Sequence, residues 1–177
     1  MRCRLDIRVT KMRMVQGTGR GRSSLVGAMV WGRNDRLVRV SVASSAADKT
    51  YAVEDAFELE MSTRVLSLDE SAQWLMMIAE NEGVDHPHLS RAAMSRSLLG
   101  LAFVDEWCIT VRKKKPSQLL LLHEMAHLVC ANQGHGREFR TQVVTYLRRY
   151  ISLTHALRLH ELFVGAGLTI EPFASTK

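Results

Sequence analysis

The sequence predicts an α+β fold, with a buried helix packed on a small antiparallel sheet and further helices toward the C-terminus. Two short apolar runs, at residues 98–104 and 107–111, are separated by Asp105 and Glu106 and are typical of strands joined by a turn. Residues 119–131 are apolar on nearly all sides of a helix, which is typical of a buried helix. At 177 residues, the chain is long enough to form one such core without disulfides.

The composition is that of an ordinary globular protein, with 46% hydrophobic and 24% charged residues. No apolar run approaches the roughly 20 residues that a membrane span needs, and the N-terminus lacks the apolar region of a secretory signal. The three cysteines are odd in number and have no C-x-x-C spacing, which argues against a disulfide framework and favours a reducing compartment. We therefore expect a cytoplasmic protein without a membrane segment.

The excess of positive charge lies in the first quarter of the chain. The whole sequence has 24 basic and 18 acidic residues, but residues 1–45 contain ten basic and only two acidic side chains. We therefore divide the chain into a basic N-terminal extension, residues 1–48, and a domain of residues 49–177. The extension is predicted to be flexible or to form a β-hairpin. It is interpreted either as a nucleic-acid-binding arm or as a solvated extension, including one read from an early start codon.

Further helix and strand signals follow within the domain. Ser67 and Glu70 have capping-box spacing for a helix that Gly83 would end. Residues 84–97 are predicted to be a loop. The alternation in residues 107–111 predicts a half-buried strand, whose edge could accept an extended peptide. Helices are then predicted over residues 119–131, 137–150 and 152–167.

The main chemical motif is the pattern His123-Glu124-Met125-Ala126-His127 in the buried helix. Residues four apart lie on one face of a helix, so the two imidazoles can converge on one zinc ion. Glu124 is rotated away from them, and in such motifs it is the general base that accepts a proton from the activated water. Burying these groups in an apolar helix is costly unless they are paired or bound, which supports a metal site.

A catalytic zinc ion usually has three protein ligands, so the third must come from outside this motif. His135 is the strongest candidate, because the flanking Gly134 and Gly136 allow the chain to reverse after the helix. Cys130 lies about 10 Å along the helix from the first motif histidine, which is too far for a shared ion. Glu138, in the first turn of the next helix, stays an alternative as a third ligand or as a partner of a ligand.

The two motifs together resemble a known arrangement. The HEMAH run at residues 123–127, followed by the GHGREF run at residues 134–139, is similar to the HExxH and HGxxF motifs of SprT-like zinc metalloproteases. A closer resemblance is to a family of small HExxH metallohydrolases of actinobacteria and their phages, whose opening motif is similar to KTYAVED at residues 49–55. The resemblance covers about residues 49–170. It implies a minimal zincin of the α+β class, with zinc held by His123, His127 and His135.

These features predict a zinc-dependent hydrolase, above all a metallopeptidase acting on a protein or peptide. Tyr51, Arg137 and Tyr146 are candidates for stabilising negative charge on the substrate, and Tyr51, Arg137 and Glu138 for surrounding the metal ligands. Two other classes stay open: a non-proteolytic nucleic-acid-binding protein with a structural zinc, and a metal-dependent hydrolase of a small molecule. The presence of Glu124 and the lack of an obvious fourth ligand favour an enzyme.

Overall fold

The computed structural model describes residues 45–95, 97–130 and 134–173, together with the backbone at residues 29–30 and 38–39. In these parts, the chain forms five helices and five short strands. The strands are β1 (Met29–Val30), β2 (Val38–Arg39), β3 (His88–Arg91), β4 (Gly100–Phe103) and β5 (Cys108–Val111). The helices are α1 (Ala46–Glu60), α2 (Leu68–Glu82), α3 (Gln118–Val129), α4 (Arg137–Tyr150) and α5 (Leu153–Gly165). The predicted α+β class is confirmed.

The described part of the N-terminal extension is a pair of two-residue strands. β1 and β2 pair antiparallel, with Val30 opposite Val38. The rest of the predicted hairpin and most of the basic extension lie outside the described residues. α1 begins at Ala46, with Ser45 as its N-cap, so this helix begins before the predicted domain boundary at residue 49.

The three-stranded sheet has the order β3, β5, β4, and it is mixed rather than antiparallel. β4 and β5 form the expected antiparallel pair, with Ala102 opposite Ile109. β3 lies on the other side of β5 and runs parallel to it, within a segment that was predicted to be a loop. That prediction was wrong because residues 88–91 have no apolar alternation of their own. Their strand is stabilised by backbone pairing with β5, a non-local contact that no local pattern indicates.

β5 is the central strand, and all four of its residues are buried. The prediction of a half-buried strand was therefore wrong. The polar Thr110 suggested a side that faces solvent, but its hydroxyl oxygen lies 2.8 Å from the hydroxyl oxygen of Ser90 on β3. This hydrogen bond satisfies the buried hydroxyl. Because β5 has a partner strand on each side, it offers no edge to an extended peptide.

α1 was not predicted, although its composition favours a helix. Alanine and glutamate are frequent in Ala46–Glu60, and both are good helix formers. Val53 and Phe57, four residues apart, are buried on one face of the helix, which packs against α5. Glu54 lies on the same buried face, and a carboxylate in that position needs a partner.

The other helices form close to their predicted positions. α2 begins after Ser67, which forms a reciprocal capping box with Glu70, and Gly83 ends it in the left-handed conformation at a φ of 67°. α4 has the predicted bounds, whereas α3 ends shortly before the predicted residue 131. Most side chains of α3 are buried, as expected, and it packs against β4 and α4. Within the described residues, no helix combines the length and apolar character needed to cross a membrane.

Replacing Ser67 by alanine should destabilise the fold through α2. The Ser67 hydroxyl accepts a hydrogen bond from the backbone N–H of Glu70 at 3.3 Å, and alanine cannot accept it. We expect the free energy of unfolding, measured by urea denaturation, to fall by about 1 kcal/mol. Ser95→Ala is the matched control, because the Ser95 hydroxyl pairs with that of Ser97 in an exposed loop. Equal losses in the two variants would contradict the capping role.

Candidate metal centre

Three imidazoles converge where α3 meets the loop that follows it. His123 and His127 lie one turn apart on α3, and His135 follows Gly134, whose φ of 55° reverses the chain. Nε2 of His123 lies 3.2 Å from Nε2 of His127 and 3.2 Å from Nε2 of His135. Two nitrogen ligands of one tetrahedral zinc ion, each about 2.0–2.1 Å from it, are about 3.3 Å apart. The ligand nitrogens of all three histidines lie within 4.8 Å of one another, so the structure brings the three predicted ligands into a group that could hold a metal ion.

Phe139 is the surface on which the three imidazoles pack. Its ring centroid lies 4.8 Å from that of His123, 4.4 Å from that of His127 and 4.8 Å from that of His135. The phenyl ring is fully buried, so it excludes water from one side of the group. Phe139 is the last residue of the GHGREF run. That run thus supplies both the third imidazole and the packing surface for all three.

A buried carboxylate orients the ring of His123. Oε2 of Glu54, on α1, lies 2.8 Å from Nδ1 of His123, and both side chains are almost fully buried. This hydrogen bond leaves Nε2 of the same ring to point toward His127 and His135. Glu54 was not a predicted site residue, because 69 residues separate it from His123 in the chain. The one feature of the sequence that could have indicated this role is that Glu54 is a carboxylate on the apolar face of α1.

Two of the three histidines are neutral at physiological pH. Burial, followed by the neighbouring His123, lowers the pKa of His127 to about 3 and the pKa of His135 to about 4. Burial also acts to lower the pKa of His123, but the charges of Glu54 and Glu124 raise it, and the net shift is upward. Because a metal binds the neutral imidazole, His127 and His135 offer lone pairs without first losing a proton.

Glu124 lies beside the histidines and is not one of the converging ligands. It is 4% exposed, and its carboxylate accepts a hydrogen bond from the backbone N–H of Ala102 on β4. Burial raises the pKa of this carboxyl to about 7, against the opposing effect of His123. Gly100 makes the close approach of β4 feasible, because a Cβ atom there would lie 2.8 Å from Cδ of Glu124. A carboxyl with this pKa can accept and return a proton near neutral pH.

The loop that contains His135 is held by Arg140, a buried residue of α4. The Arg140 guanidinium donates to the carbonyl oxygen of His135. It also donates to Thr169 in the C-terminal segment, from Nε to the carbonyl oxygen at 2.9 Å and from Nη2 to the hydroxyl oxygen at 3.0 Å. Arg140 was not predicted as a site residue. It acts on the position of His135 through the backbone, a contact that the spacing of histidines does not indicate.

Tyr51 is the predicted neighbour that lies closest to the histidines. Its ring centroid is 4.6 Å from that of His135 and 5.5 Å from that of His123, and the residue is 46% exposed. Burial of its hydroxyl, with the charges of Glu124 and Glu54, raises the pKa of Tyr51. The phenol therefore stays protonated and available as a hydrogen-bond donor at neutral pH.

The structure does not bring the other candidates into the histidine group. Glu138 and Arg137 are exposed at the start of α4, and the guanidinium of Arg137 pairs with Glu171 at 2.5 Å. Tyr146 is buried in the core. Cys130 follows the last residue of α3 and stays outside the group, as expected from its distance along the helix. Of the predicted surrounding residues, Tyr51 is thus the one whose ring contacts the histidines of the group.

Comparisons with known proteins identify no relative of this chain. No family model, curated protein or solved structure matches the chain. What the site can do therefore has to follow from its own side chains and their arrangement.

Removing the third imidazole should weaken metal binding. His135→Ala leaves two histidines. Loss of a residue that only hydrogen-bonds to a metal ligand typically lowers metal affinity by about 10–100-fold, and we expect loss of His135 itself to lower zinc affinity by more than that. Zinc titration against a competing chelator measures this, with one ion per chain expected for the wild type. His86→Ala is the control, because His86 pairs with Glu80 on the surface. Unchanged zinc affinity in His135→Ala would remove His135 from the site.

Adding a methyl group at Gly100 should act through the side chain of Glu124. The new Cβ would overlap Cγ and Cδ of Glu124, so Gly100→Ala should lower the free energy of unfolding by about 1–3 kcal/mol. The same substitution in a Glu124→Ala background should cost much less, since the overlapping atoms are gone. Urea denaturation of the four proteins measures this coupling. Additive losses would show that Gly100 and Glu124 are independent.

Proposed function

We propose that this protein is a zinc-dependent hydrolase, and specifically a metallopeptidase that acts on protein or peptide substrates. The observation that carries the proposal is the position of Glu124. Its buried carboxyl has a pKa of about 7, lies next to His123 and is not one of the three converging ligands. Burial removes this carboxyl from water and brings its pKa close to neutral pH. These are the properties that a general base requires.

The number of histidines supports a catalytic zinc over a structural one. Structural zinc sites are usually closed by four ligands, whereas catalytic sites have three and leave a position for water or substrate. Among the described residues, the converging group consists of His123, His127 and His135, with no fourth histidine, cysteine or carboxylate. This composition favours the hydrolase over the nucleic-acid-binding protein with a structural zinc.

Each side chain near the group has a separate role in this proposal. When bound, zinc would act as a Lewis acid that activates water and polarises the substrate carbonyl. Glu124 accepts the proton of the attacking water and returns it to the leaving amine. Glu54 keeps Nε2 of His123 directed at the metal. The protonated hydroxyl of Tyr51, beside His135, donates a hydrogen bond to the negative charge that develops on the substrate oxygen.

β4 supplies the strand edge that β5 lacks. In the described sheet, β4 pairs with β5 alone, so its other edge has no partner strand. Gly100 and Ala102 bring β4 into contact with Glu124. A peptide that adds to this edge in an extended conformation would place its backbone next to the general base. We therefore assign to β4 the peptide-binding role that the sequence suggested for β5.

The variant Glu124→Gln separates catalysis from metal binding. Glutamine keeps the shape of the side chain but cannot accept the proton, so we expect zinc content and fold to be retained. Peptide hydrolysis should fall by about 10²–10⁴-fold. The measurement is cleavage of a peptide library by zinc-loaded wild type and Glu124→Gln, with chelator-treated wild type as the metal-free control.

Equal cleavage by Glu124→Gln and wild type would reject Glu124 as the base. Absence of any hydrolysis by the zinc-loaded wild type, together with unfolding on chelation, would instead support the structural-zinc alternative. Hydrolysis of small esters or amides without cleavage of peptides would support the small-molecule alternative.

A further inference from the structure

A cavity of about 250 Å³ lies beside Glu124 and His123. One wall is a face of α1, with Tyr51, Glu54, Asp55 and Glu58 at the helical spacing that places them side by side. The cavity is also lined by residues 97–100, which lead into β4, and by the first turn of α3. A substrate whose backbone lies along β4 would therefore have this cavity within reach of a side chain.

The α1 wall of the cavity is strongly acidic. It presents three carboxylates, from Glu54, Asp55 and Glu58, and Glu124 contributes a fourth. Among the described residues, no lysine or arginine lines the cavity. Because Glu54 is bonded to His123 and Glu124 is the proposed general base, Asp55 and Glu58 supply the negative charge that a ligand entering the cavity would meet.

One of these carboxylates has an oxygen without a partner. Glu54 is 8% exposed, and its Oε2 atom is bonded to His123, but its Oε1 atom is buried and has no hydrogen-bond partner among the described residues. Both oxygens of Glu58, by contrast, accept hydrogen bonds from Thr63. A buried carboxylate oxygen without a donor is costly, and because Glu54 lines the cavity, a positive charge held there would stabilise this carboxylate.

The other wall of the cavity is apolar. Leu98 and Leu99 are 40% and 37% exposed, which is high for leucine side chains that border a cavity. Leu119 and Leu120, at the start of α3, complete this wall. A lining that combines apolar and acidic side chains matches a ligand side chain with an aliphatic stem and a cationic end.

We propose that this cavity binds the arginine or lysine side chain of a peptide substrate, next to the bond that is cleaved. The aliphatic stem would pack on Leu98 and Leu99, and the cationic end would reach Asp55 and Glu58. The volume supports a single side chain, because pockets for whole small molecules are usually about 300–1,000 Å³. This inference rests on the proposed peptidase function, for which it names the class of substrate.

The first test is binding without turnover. Zinc-loaded Glu124→Gln is titrated with three fluorescent peptides that differ in one central residue, arginine, leucine or glutamate. We expect the arginine peptide to bind at least about tenfold more tightly than the other two. The double variant Asp55→Asn with Glu58→Gln, made in the same background, should lose this preference. Asp69→Asn, which removes an exposed acid of α2 outside the cavity, should keep it.

The second test is cleavage of the same three peptides by the wild type. Together, the two tests distinguish failure of the cavity assignment from failure of the proposed peptidase function. Selective binding of the arginine peptide without cleavage would keep the cavity assignment and reject the peptidase. Cleavage of all three peptides at equal rates, with equal binding, would keep the peptidase and overturn the cavity assignment. Absence of selective binding in the first test, or a preference that survives in the double variant, would also overturn it.

Discussion

Glu54 and His123 belong to helices that are far apart in the chain, and they meet inside the protein through one hydrogen bond of 2.8 Å. Neither group could be buried alone without a large desolvation cost. Together they lock α1 against α3 and determine which ring nitrogen of His123 meets the other imidazoles. The cavity wall that α1 forms and the position of Tyr51 beside the histidines both depend on the docking of α1, to which this bond contributes together with the packing of α1 on α5.

The start of α4 completes the centre from the other side. Phe139 packs against the three imidazoles, and the next residue, Arg140, holds the backbone of the third. One turn of helix thus controls both the packing of the rings and the path of the loop between α3 and α4. The site is therefore not a property of the HExxH helix alone. It is assembled by α1, α3, α4 and β4, each of which contributes a different contact.

The sequence predicted those parts of the fold and site that depend on short-range patterns. The four-residue spacing of His123 and His127, the glycines around His135 and the capping box of α2 are local, and the structure contains all three features. The parallel strand β3 and the partner of His123 were missed because both are defined by contacts between distant residues. The burial of Thr110 was not predicted for the same reason, since the hydroxyl that satisfies its hydrogen-bonding capacity belongs to Ser90 on another strand.

The hydrogen bonds of Arg140 connect the motion of the loop that contains His135 to the motion of the C-terminal segment that contains Thr169. One guanidinium binds both His135 and Thr169, which lies 29 positions further along the chain than Arg140, so the loop and the C-terminal segment share one restraint. The loop and the C-terminal segment should therefore open as one cooperative unit rather than fray separately. Fluctuations of the segment around Thr169 would thus be transmitted to His135, one of the three histidines that could hold a metal ion.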